Sequence, residues 1–233
     1  MKIIKFNSQR DITVQFDNGY IVQKTHYDQF RKGSLSCPYD KTVRGVGYIG
    51  EGKYKTHINK KQTKEYMRWV KMMQRCYDEN IQNKFPTYIG CTVCKEWHNF
   101  QIFAKWYEEN HYEVVDQRME LDKDILIKGN KIYSPETCCI VPSYINTLFV
   151  KNDLDRGMYP IGVQYDKRKG RIKRFRATLF HKTIGFYFTP NEAFEVYKKH
   201  KEVLIKETAE KYKAYIPEKL YKAMYNYQVE ITD

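Results

Sequence analysis

The stretch from Gly162 to Tyr197 constrains the fold of this chain more than any other part of the sequence. Three segments rich in β-branched and aromatic residues follow one another there, and Lys-Gly and His-Lys breaks separate them. This pattern predicts three short strands joined by turns. The predicted strands are Ile161–Tyr165, Arg174–Phe180 and Thr183–Phe188.

A helix is predicted directly after these strands. Thr189 suits the N-cap, Pro190 suits the first turn, and Glu192 completes a capping box. Three apolar residues at helical spacing would bury this helix against the sheet. They are Ala193, Phe194 and Tyr197.

Positive charge is concentrated on the same strands. Between Gln164 and Lys182, eight basic residues stand against one acid, Asp166. The whole chain carries 41 Lys+Arg against 28 Asp+Glu, a formal charge of +13. This surplus favours a polyanionic partner, but it does not separate DNA from RNA or from an anionic membrane. A solvated basic face without a ligand is the alternative interpretation.

The segment resembles the plant ethylene-response-factor (Apetala-type) DNA-binding domain, which also occurs in phage homing endonucleases. The matching residues are Gly162-Val163, Phe175–Leu179, Ile184–Tyr187, Thr189, Glu192-Ala193 and Tyr197. The resemblance implies a three-stranded sheet, packed on a helix, that lies in the major groove of double-stranded DNA. In such a groove, arginine reads guanine or grips phosphate, and glutamine reads adenine. The implied DNA contacts are Gln164, Lys167, Arg168, Arg171, Arg174, Arg176 and Lys182.

The N-terminal part is predicted to be a small β-rich unit. Ile12–Phe16 alternates in polarity, Asp17-Asn18-Gly19 is typical of a turn, and Tyr20-Ile21-Val22 returns. Gly45–Lys61 follows as glycine-punctuated loops or a linker with a basic end. A linker lying along DNA explains this charge, and simple solubility explains it as well.

Two helices are predicted in the middle of the chain, from about Thr63 to Asn80 and from about Lys95 to Asn110. Each carries an aromatic stripe at helical spacing, which favours a core over a ligand platform. A ββα pattern follows them. It consists of a strand at Leu121–Leu126, a return strand from Tyr133 to Val141, and a helix that opens at Pro142.

A carboxylate on the first strand and an amide on the helix suit a shared hard divalent ion, because both offer oxygen ligands. This region resembles the HNH (His-Me finger) nucleases of phage genomes. The resemblance implies that Asp122 and Asn146 hold one Mg²⁺-type ion, which supports cleavage of a phosphodiester by in-line attack of water. The matching residues are Leu121–Asp124, Gly129-Asn130, Tyr133–Glu136, Cys138, Val141 and Asn146, with Trp69, Met72, Arg75-Cys76, Val93–Trp97, Phe100 and Phe103 upstream.

One position departs from the family pattern. The general base of these nucleases is a histidine directly after the aspartate, and Lys123 stands there. An ammonium is a poor proton acceptor at neutral pH, so Lys123 is expected to grip the scissile phosphate instead. His98, His111 or a metal-bound hydroxide would then be the base. The alternative is that cleavage is lost and only DNA binding remains.

Acidic residues are concentrated just before this region. Seven acids lie between Tyr107 and Asp124, and only Arg118 and Lys123 oppose them. Acids beside DNA are repulsive unless a cation neutralises them, which favours a metal; a solvated acidic helix end is the alternative.

Six cysteines without a secretory context predict reduced thiols. Cys91-Thr92-Val93-Cys94 is a CxxC pair, but the second pair of a zinc knuckle is missing. Two interpretations stay open: small buried thiols, or a structural zinc.

Together these patterns predict an α+β protein with three parts: a small β-rich domain at 1–54, an HNH-like ββα domain with lead-in helices at 62–152, and the Apetala-type domain with a helical extension at 158–233. The predicted function is double-stranded DNA binding with metal-dependent cleavage of the homing type. A catalytically impaired regulator or phage counter-defence factor is the alternative, and a protein that blocks a host factor is a third hypothesis. No apolar run reaches membrane-spanning length and no signal peptide is recognised, so the expected location is the bacterial cytoplasm, for a phage-encoded protein.

Overall fold

The computed structural model describes residues 1–150 and 158–233. It contains helices and several small antiparallel sheets, which confirms the α+β class. The chain forms two compact units, Met1–Glu109 and Asn110–Asp233. The boundary between them lies inside the predicted segment 62–152, so the lead-in helices belong to the first unit and the ββα region to the second. Residues 151 and 152 of that segment lie outside the described residues.

The first unit begins with a three-stranded antiparallel sheet of β1 (Lys2–Ser8), β2 (Asp11–Gln15) and β3 (Ile21–Thr25), followed by helix α1 (Tyr27–Arg31). The predicted turn between β2 and β3 is present. The amide of Phe16 donates to the carbonyl of Tyr20 at 2.8 Å, and Gly19 supplies the positive φ of 87° that the tight turn needs.

Part of the predicted linker is a β-hairpin. Strands β4 (His57–Ile58) and β5 (Lys61–Gln62) pair antiparallel. The two residues between them, Asn59 and Lys60, have φ values of 49° and 64°. Positive φ at both central positions is typical of the type I′ turn that matches the twist of a hairpin. Residues 57–62 are therefore a structured ribbon and not a linker.

Two predicted helices form the core of the first unit. Helix α2 (Lys64–Tyr77) is capped by the Thr63 side chain, and it ends three residues before the predicted end because Asp78 caps the next helix, α3 (Glu79–Lys84). Trp69 is fully buried and its Nε1 donates to the carbonyl of Trp97 at 2.7 Å. The aromatic stripe of this helix is therefore core, as predicted.

The helix predicted from Lys95 is divided. Lys95–His98 forms a 3₁₀ turn, followed by helix α4 (Phe100–Asn110). A second 3₁₀ turn at Pro86–Tyr88 and the short strand β6 (Thr92–Val93) precede it.

The second unit contains the predicted ββα arrangement in shorter form. Strand β7 (Met119–Asp122) pairs antiparallel with β9 (Cys139–Pro142), and helix α5 (Ser143–Phe149) packs on both strands. The first strand ends at Asp122, because the Asp122 side chain turns the chain there. A separate strand, β8 (Ile132–Tyr133), lies in the predicted return segment.

The C-terminal sheet matches its prediction closely. Its strands β10 (Val163–Tyr165), β11 (Phe175–Leu179) and β12 (Lys182–Tyr187) are antiparallel and adjacent in chain order. Helix α6 (Pro190–Tyr212) packs on all three strands, and α7 (Glu218–Tyr225) follows it. Helix α6 begins as predicted: Thr189 Oγ1 accepts from the amide of Glu192, and the Glu192 carboxylate accepts from the amide of Phe188.

Helix α6 contributes to two hydrophobic cores. Its first turns bury Phe194 and Tyr197 against the sheet, where they meet Val163 and Ala177. Its later turns bury residues against the ββα region; the residues of that second core include Val141, Ile145, Ile205 and Ala209. One helix therefore supports both the basic sheet and the ββα strands.

Gly162 is the position where the sheet depends most on glycine. Its φ is 76°, and a Cβ there would lie 2.1 Å from the Tyr197 ring. Gly170 has a similar φ of 82°, but nothing lies within 4 Å of a Cβ at that position. The pair therefore separates backbone strain from steric overlap.

We expect Gly170→Ala to cost about 1 kcal/mol through backbone strain and Gly162→Ala to cost about 3 kcal/mol, because Tyr197 must also move. Urea unfolding of both variants would measure the difference. Equal costs at the two positions would contradict the close packing of Gly162 on Tyr197.

Candidate nucleic-acid interface and ββα site

The two faces of the C-terminal sheet have different chemistry. Val163 and Ala177 pair across β10 and β11 and face helix α6. Because side chains alternate along a strand, the next pair, Gln164 and Arg176, faces away from the helix. Arg176 pairs in turn with Phe186 on β12. The open face therefore carries an amide, a guanidinium and an aromatic ring in one row across three strands.

Arg176 is held within this row. Its Nη2 donates to the Gln164 side-chain oxygen, which fixes the two groups relative to each other. Its Nε is shielded from solvent and has no hydrogen-bond partner among the described residues. Thr178 Oγ1, on the same face of β11, is also shielded from solvent and also has no hydrogen-bond partner among the described residues. Such groups are uncommon in folded proteins, because an unpaired buried donor costs free energy.

Two further arginines meet at one carboxylate beside this row. Asp166 is buried, and its oxygens accept from Arg168 Nε at 2.9 and 3.0 Å. Arg171 Nε lies 3.0 Å from Asp166 Oδ2. The Arg171 guanidinium also lies over the Phe186 ring, 3.8 Å from its centroid. One carboxylate and one ring therefore hold two cationic groups in fixed positions.

These contacts change the acidity of Asp166. Hydrogen bonds from Arg168 are the main cause, and they hold the pKa of the Asp166 carboxyl well below its usual range. The carboxylate therefore stays ionised, and its cluster with two guanidinium groups keeps a net positive charge.

The remaining predicted contacts lie around this cluster, with one exception. Lys167 is exposed in the turn after β10, and Arg174 donates from Nη1 to the Tyr165 hydroxyl at 2.8 Å. Lys182 pairs with Leu179, whose side chain packs on the helix side. Cross-strand partners share a face, so the structure places Lys182 at the hairpin end on the other side of the sheet.

Three residues of this surface were not among the contacts proposed from the sequence. Phe186 and Thr178 were recognised only as matches to the family. Asp166 was noted only as the lone acid in a basic run. The spacing Asp166-x-Arg168 in a turn was the available signal, since short polar side chains often bond to groups two residues on.

The predicted catalytic residues lie in a different setting. Asp122 Oδ1 accepts from the amides of Asp124 at 2.9 Å and of Ile125 at 2.8 Å, which turns the chain at the end of β7. Burial raises the pKa of Asp122 to about 6, and the charge of Asp124 adds to this effect. Asn146 is half-buried on helix α5.

Lys123 is buried, with 7 % of its surface exposed. Its ammonium donates to the carbonyl of Asn130 at 3.1 Å and lies 3.1 Å from Asp124 Oδ2. The Asn130 side chain donates back to the carbonyl of Lys123 at 2.7 Å. These reciprocal bonds close the loop after β7 and give Lys123 a structural partner on each side.

The two candidate bases belong to different units. His98 lies in the first unit, where its Nε2 is 3.2 Å from the carbonyl oxygen of Val93. His111 lies in the second unit, directly after α4, and is half-buried.

Metal-binding groups were sought across both described ranges. No group of three or more His, Cys, Asp or Glu side chains suited to a metal ion occurs in residues 1–150 and 158–233. All six cysteines are thiols, and Cys94 is the one that is not fully buried.

No protein-family model matches this chain, and no curated protein or solved structure matches it either. Among the helices in the described part of the chain, none combines the length and apolar character needed to cross a bilayer.

The ion pairs of Asp166 make the stability of the folded protein depend on pH. Its folded pKa is depressed, so its stabilising effect is complete well above the unfolded pKa of about 3.9 and is lost as the pH falls below that value. We expect Asp166→Asn to be less stable than the parent at pH 6, with a difference that shrinks below pH 4. Thermal unfolding across this pH range measures it, and a difference independent of pH would contradict the ion-pair cluster.

Proposed function

We propose that this protein binds duplex DNA through the open face of its C-terminal sheet. The observation that carries this proposal is the row of Gln164, Arg176 and Phe186 beside the arginines held by Asp166. A sheet that is backed by a helix and carries cations on its other face suits a major groove, which is wide enough for a β-ribbon.

Base reading would come from the centre of the row. Arginine donates two hydrogen bonds to guanine O6 and N7. The glutamine side-chain amide donates to adenine N7, and its oxygen accepts from adenine N6. The hydrogen bond between Gln164 and Arg176 orients both groups before DNA arrives.

Phosphate contacts would come from the rim of the same face. Lys167 and Lys169 are exposed in the turn between β10 and β11, and Lys173 and Arg174 are exposed just before β11. Contacts of this kind position a protein on the duplex without reading sequence, and they make affinity depend on salt.

Asp166 has a specific place in this proposal. A carboxylate near a polyanion is repulsive unless cations outnumber it. Here Arg168 and Arg171 both bind it, and the Phe186 ring supports Arg171 from below. Asp166 is therefore a positioning residue that reduces the conformational freedom two long side chains would otherwise lose on binding.

We also propose that binding occurs without Asp122-dependent cleavage. The contacts at the end of β7 favour a loop-closing role for Asp122 over a role as a metal ligand. Asp122 Oδ1 already accepts two backbone N–H bonds. The ammonium of Lys123, whose charge acts on Asp122, already neutralises Asp124. This built-in cation repels a second one, and it gives Asp124 a counter-ion within the chain.

The DNA-binding proposal is tested with Arg174→Ala/Arg176→Ala. We expect affinity for a selected duplex site to fall by about 1–3 kcal/mol per lost base-specific pair, and the slope of log K against log salt to fall by about 0.9 per lost phosphate contact. Fluorescence anisotropy over a salt series measures both quantities.

The matched control is Lys199→Ala/Lys206→Ala, which removes two exposed cations from helix α6. Equal losses in the two double variants would mean that net charge alone attracts DNA, and the proposed face would then be wrong. Binding by the parent that does not change with salt would also contradict the proposed face, because phosphate contacts make affinity depend on salt.

The absence of cleavage is tested with supercoiled plasmid in Mg²⁺ and in Mn²⁺. We expect the parent to bind the plasmid and to nick it no faster than Asp122→Asn, a variant that keeps the Oδ1 acceptor and the loop. Parent nicking that disappears in Asp122→Asn would restore the nuclease hypothesis, with Asp122 as a metal ligand.

A further inference from the structure

A second basic surface lies in the first unit, on the hairpin of β4 and β5. Residues 54–64 contain four lysines and no acid. Lys60 and Lys61 are exposed, and the hairpin residues between His57 and Gln62 are exposed on both strands. The surface is therefore a projecting ribbon of positive charge.

The two faces of this hairpin differ. The His57 ring lies 5.7 Å from the Tyr66 ring of helix α2, measured between centroids. Because side chains alternate along a strand, the cross-strand pair Ile58 and Lys61 faces the other way. Ile58 is 57 % exposed. The open face therefore presents one apolar side chain next to a cation at the tip of the ribbon.

The base of the hairpin is fixed to helix α2. The amide of Thr63 donates to the carbonyl of Thr56 at 3.0 Å, and Thr63 Oγ1 donates to the carbonyl of Lys55 at 3.0 Å. The same Oγ1 accepts from the amide of Tyr66 and so caps the helix. Together with the positive φ of Asn59 and Lys60, these bonds give the ribbon a defined shape before any partner binds.

We infer that this hairpin is a second contact on duplex DNA, with Ile58 inside a groove and Lys60 and Lys61 on the phosphates at its edge. A two-stranded ribbon, with its strands about 5 Å apart, is narrow enough for the major groove. Apolar side chains on such projections contact or wedge base steps in several DNA-bending proteins. A membrane surface fits less well, since one exposed isoleucine offers too little apolar area for an anchor.

This inference goes beyond the proposed function, because it assigns a DNA contact to the first unit that does not use the C-terminal sheet. The two proposed contacts also differ in how they depend on the DNA sequence. Lysines on phosphates carry no base information, so Lys60 and Lys61 should strengthen binding to every duplex by the same factor.

The test uses the full chain with Lys60→Gln/Lys61→Gln and a random 30-base-pair duplex as the probe. We expect the slope of log K against log salt to fall by about 1.8, which corresponds to about a 30-fold loss of affinity at 0.15 M salt. Ile58→Ser should lower affinity about tenfold and leave the slope unchanged, because it removes apolar contact and no charge.

The control is Lys32→Gln/Lys41→Gln, which removes the same charge from exposed positions of the same unit outside the hairpin. Equal effects of the hairpin and control pairs would overturn the inference. Tighter binding of the parent to anionic phosphatidylglycerol vesicles than to the duplex, with loss in the hairpin pair, would overturn it in favour of a membrane. All substituted side chains are exposed, and unchanged thermal unfolding confirms that each variant folds.

Combination with Arg174→Ala/Arg176→Ala separates this inference from the proposed function. If the hairpin pair weakens binding and the sheet pair does not, the hairpin contact stands and the proposed function fails. The reverse result leaves the proposed function and overturns the hairpin contact. Loss of about the same factor from the hairpin pair in both backgrounds supports two independent contacts.

Discussion

The packing of helix α6 on one face of the C-terminal sheet determines what the other face can do. Phe194 and Tyr197 cover Val163 and Ala177, and Gly162 is small enough to let the Tyr197 ring approach the chain. Since strand residues alternate, this burial fixes Gln164 and Arg176 on the open side. A slip of one residue in register would bury the arginine and expose the core. The chemistry of the open face therefore follows from hydrophobic packing behind it.

Two carboxylate–cation clusters in the second unit illustrate different uses of the same interaction. At Asp166, one carboxylate holds two guanidinium groups on the exposed side of a sheet, which leaves positive charge directed toward solvent. At Lys123, a buried ammonium is shared between Asp124 and the carbonyl of Asn130, which closes a loop. The first arrangement suits a polyanionic ligand. The second satisfies charges internally, which is why we assign it a structural role.

Local patterns in the sequence were sufficient for much of the fold. The capping box at Thr189, the Asn-Gly turn after Phe16 and the aromatic stripe around Trp69 each depend on neighbours a few residues apart, and all three are present. The hairpin at His57–Gln62 was missed because its turn uses Asn59 and Lys60, and lysine gives no signal for a positive φ. The ion pairs of Arg168 and Arg171 with Asp166 and the burial of Lys123 were missed, because both depend on contacts that only the folded loops create. Lys182 was grouped with the other cations by charge, although its register directs it to the opposite face.

The most direct measurement of the central claim is nuclear magnetic resonance of side-chain N–H groups during titration with duplex DNA. If the open face of the sheet receives the duplex, the Nε–H signal of Arg176 and the amide signals of Gln164 should shift or broaden at low ratios of DNA. The side-chain hydroxyl and ring signals of Tyr197, behind the sheet, should stay in place. Shifts confined to helix α6, with Arg176 and Gln164 unchanged, would contradict the account.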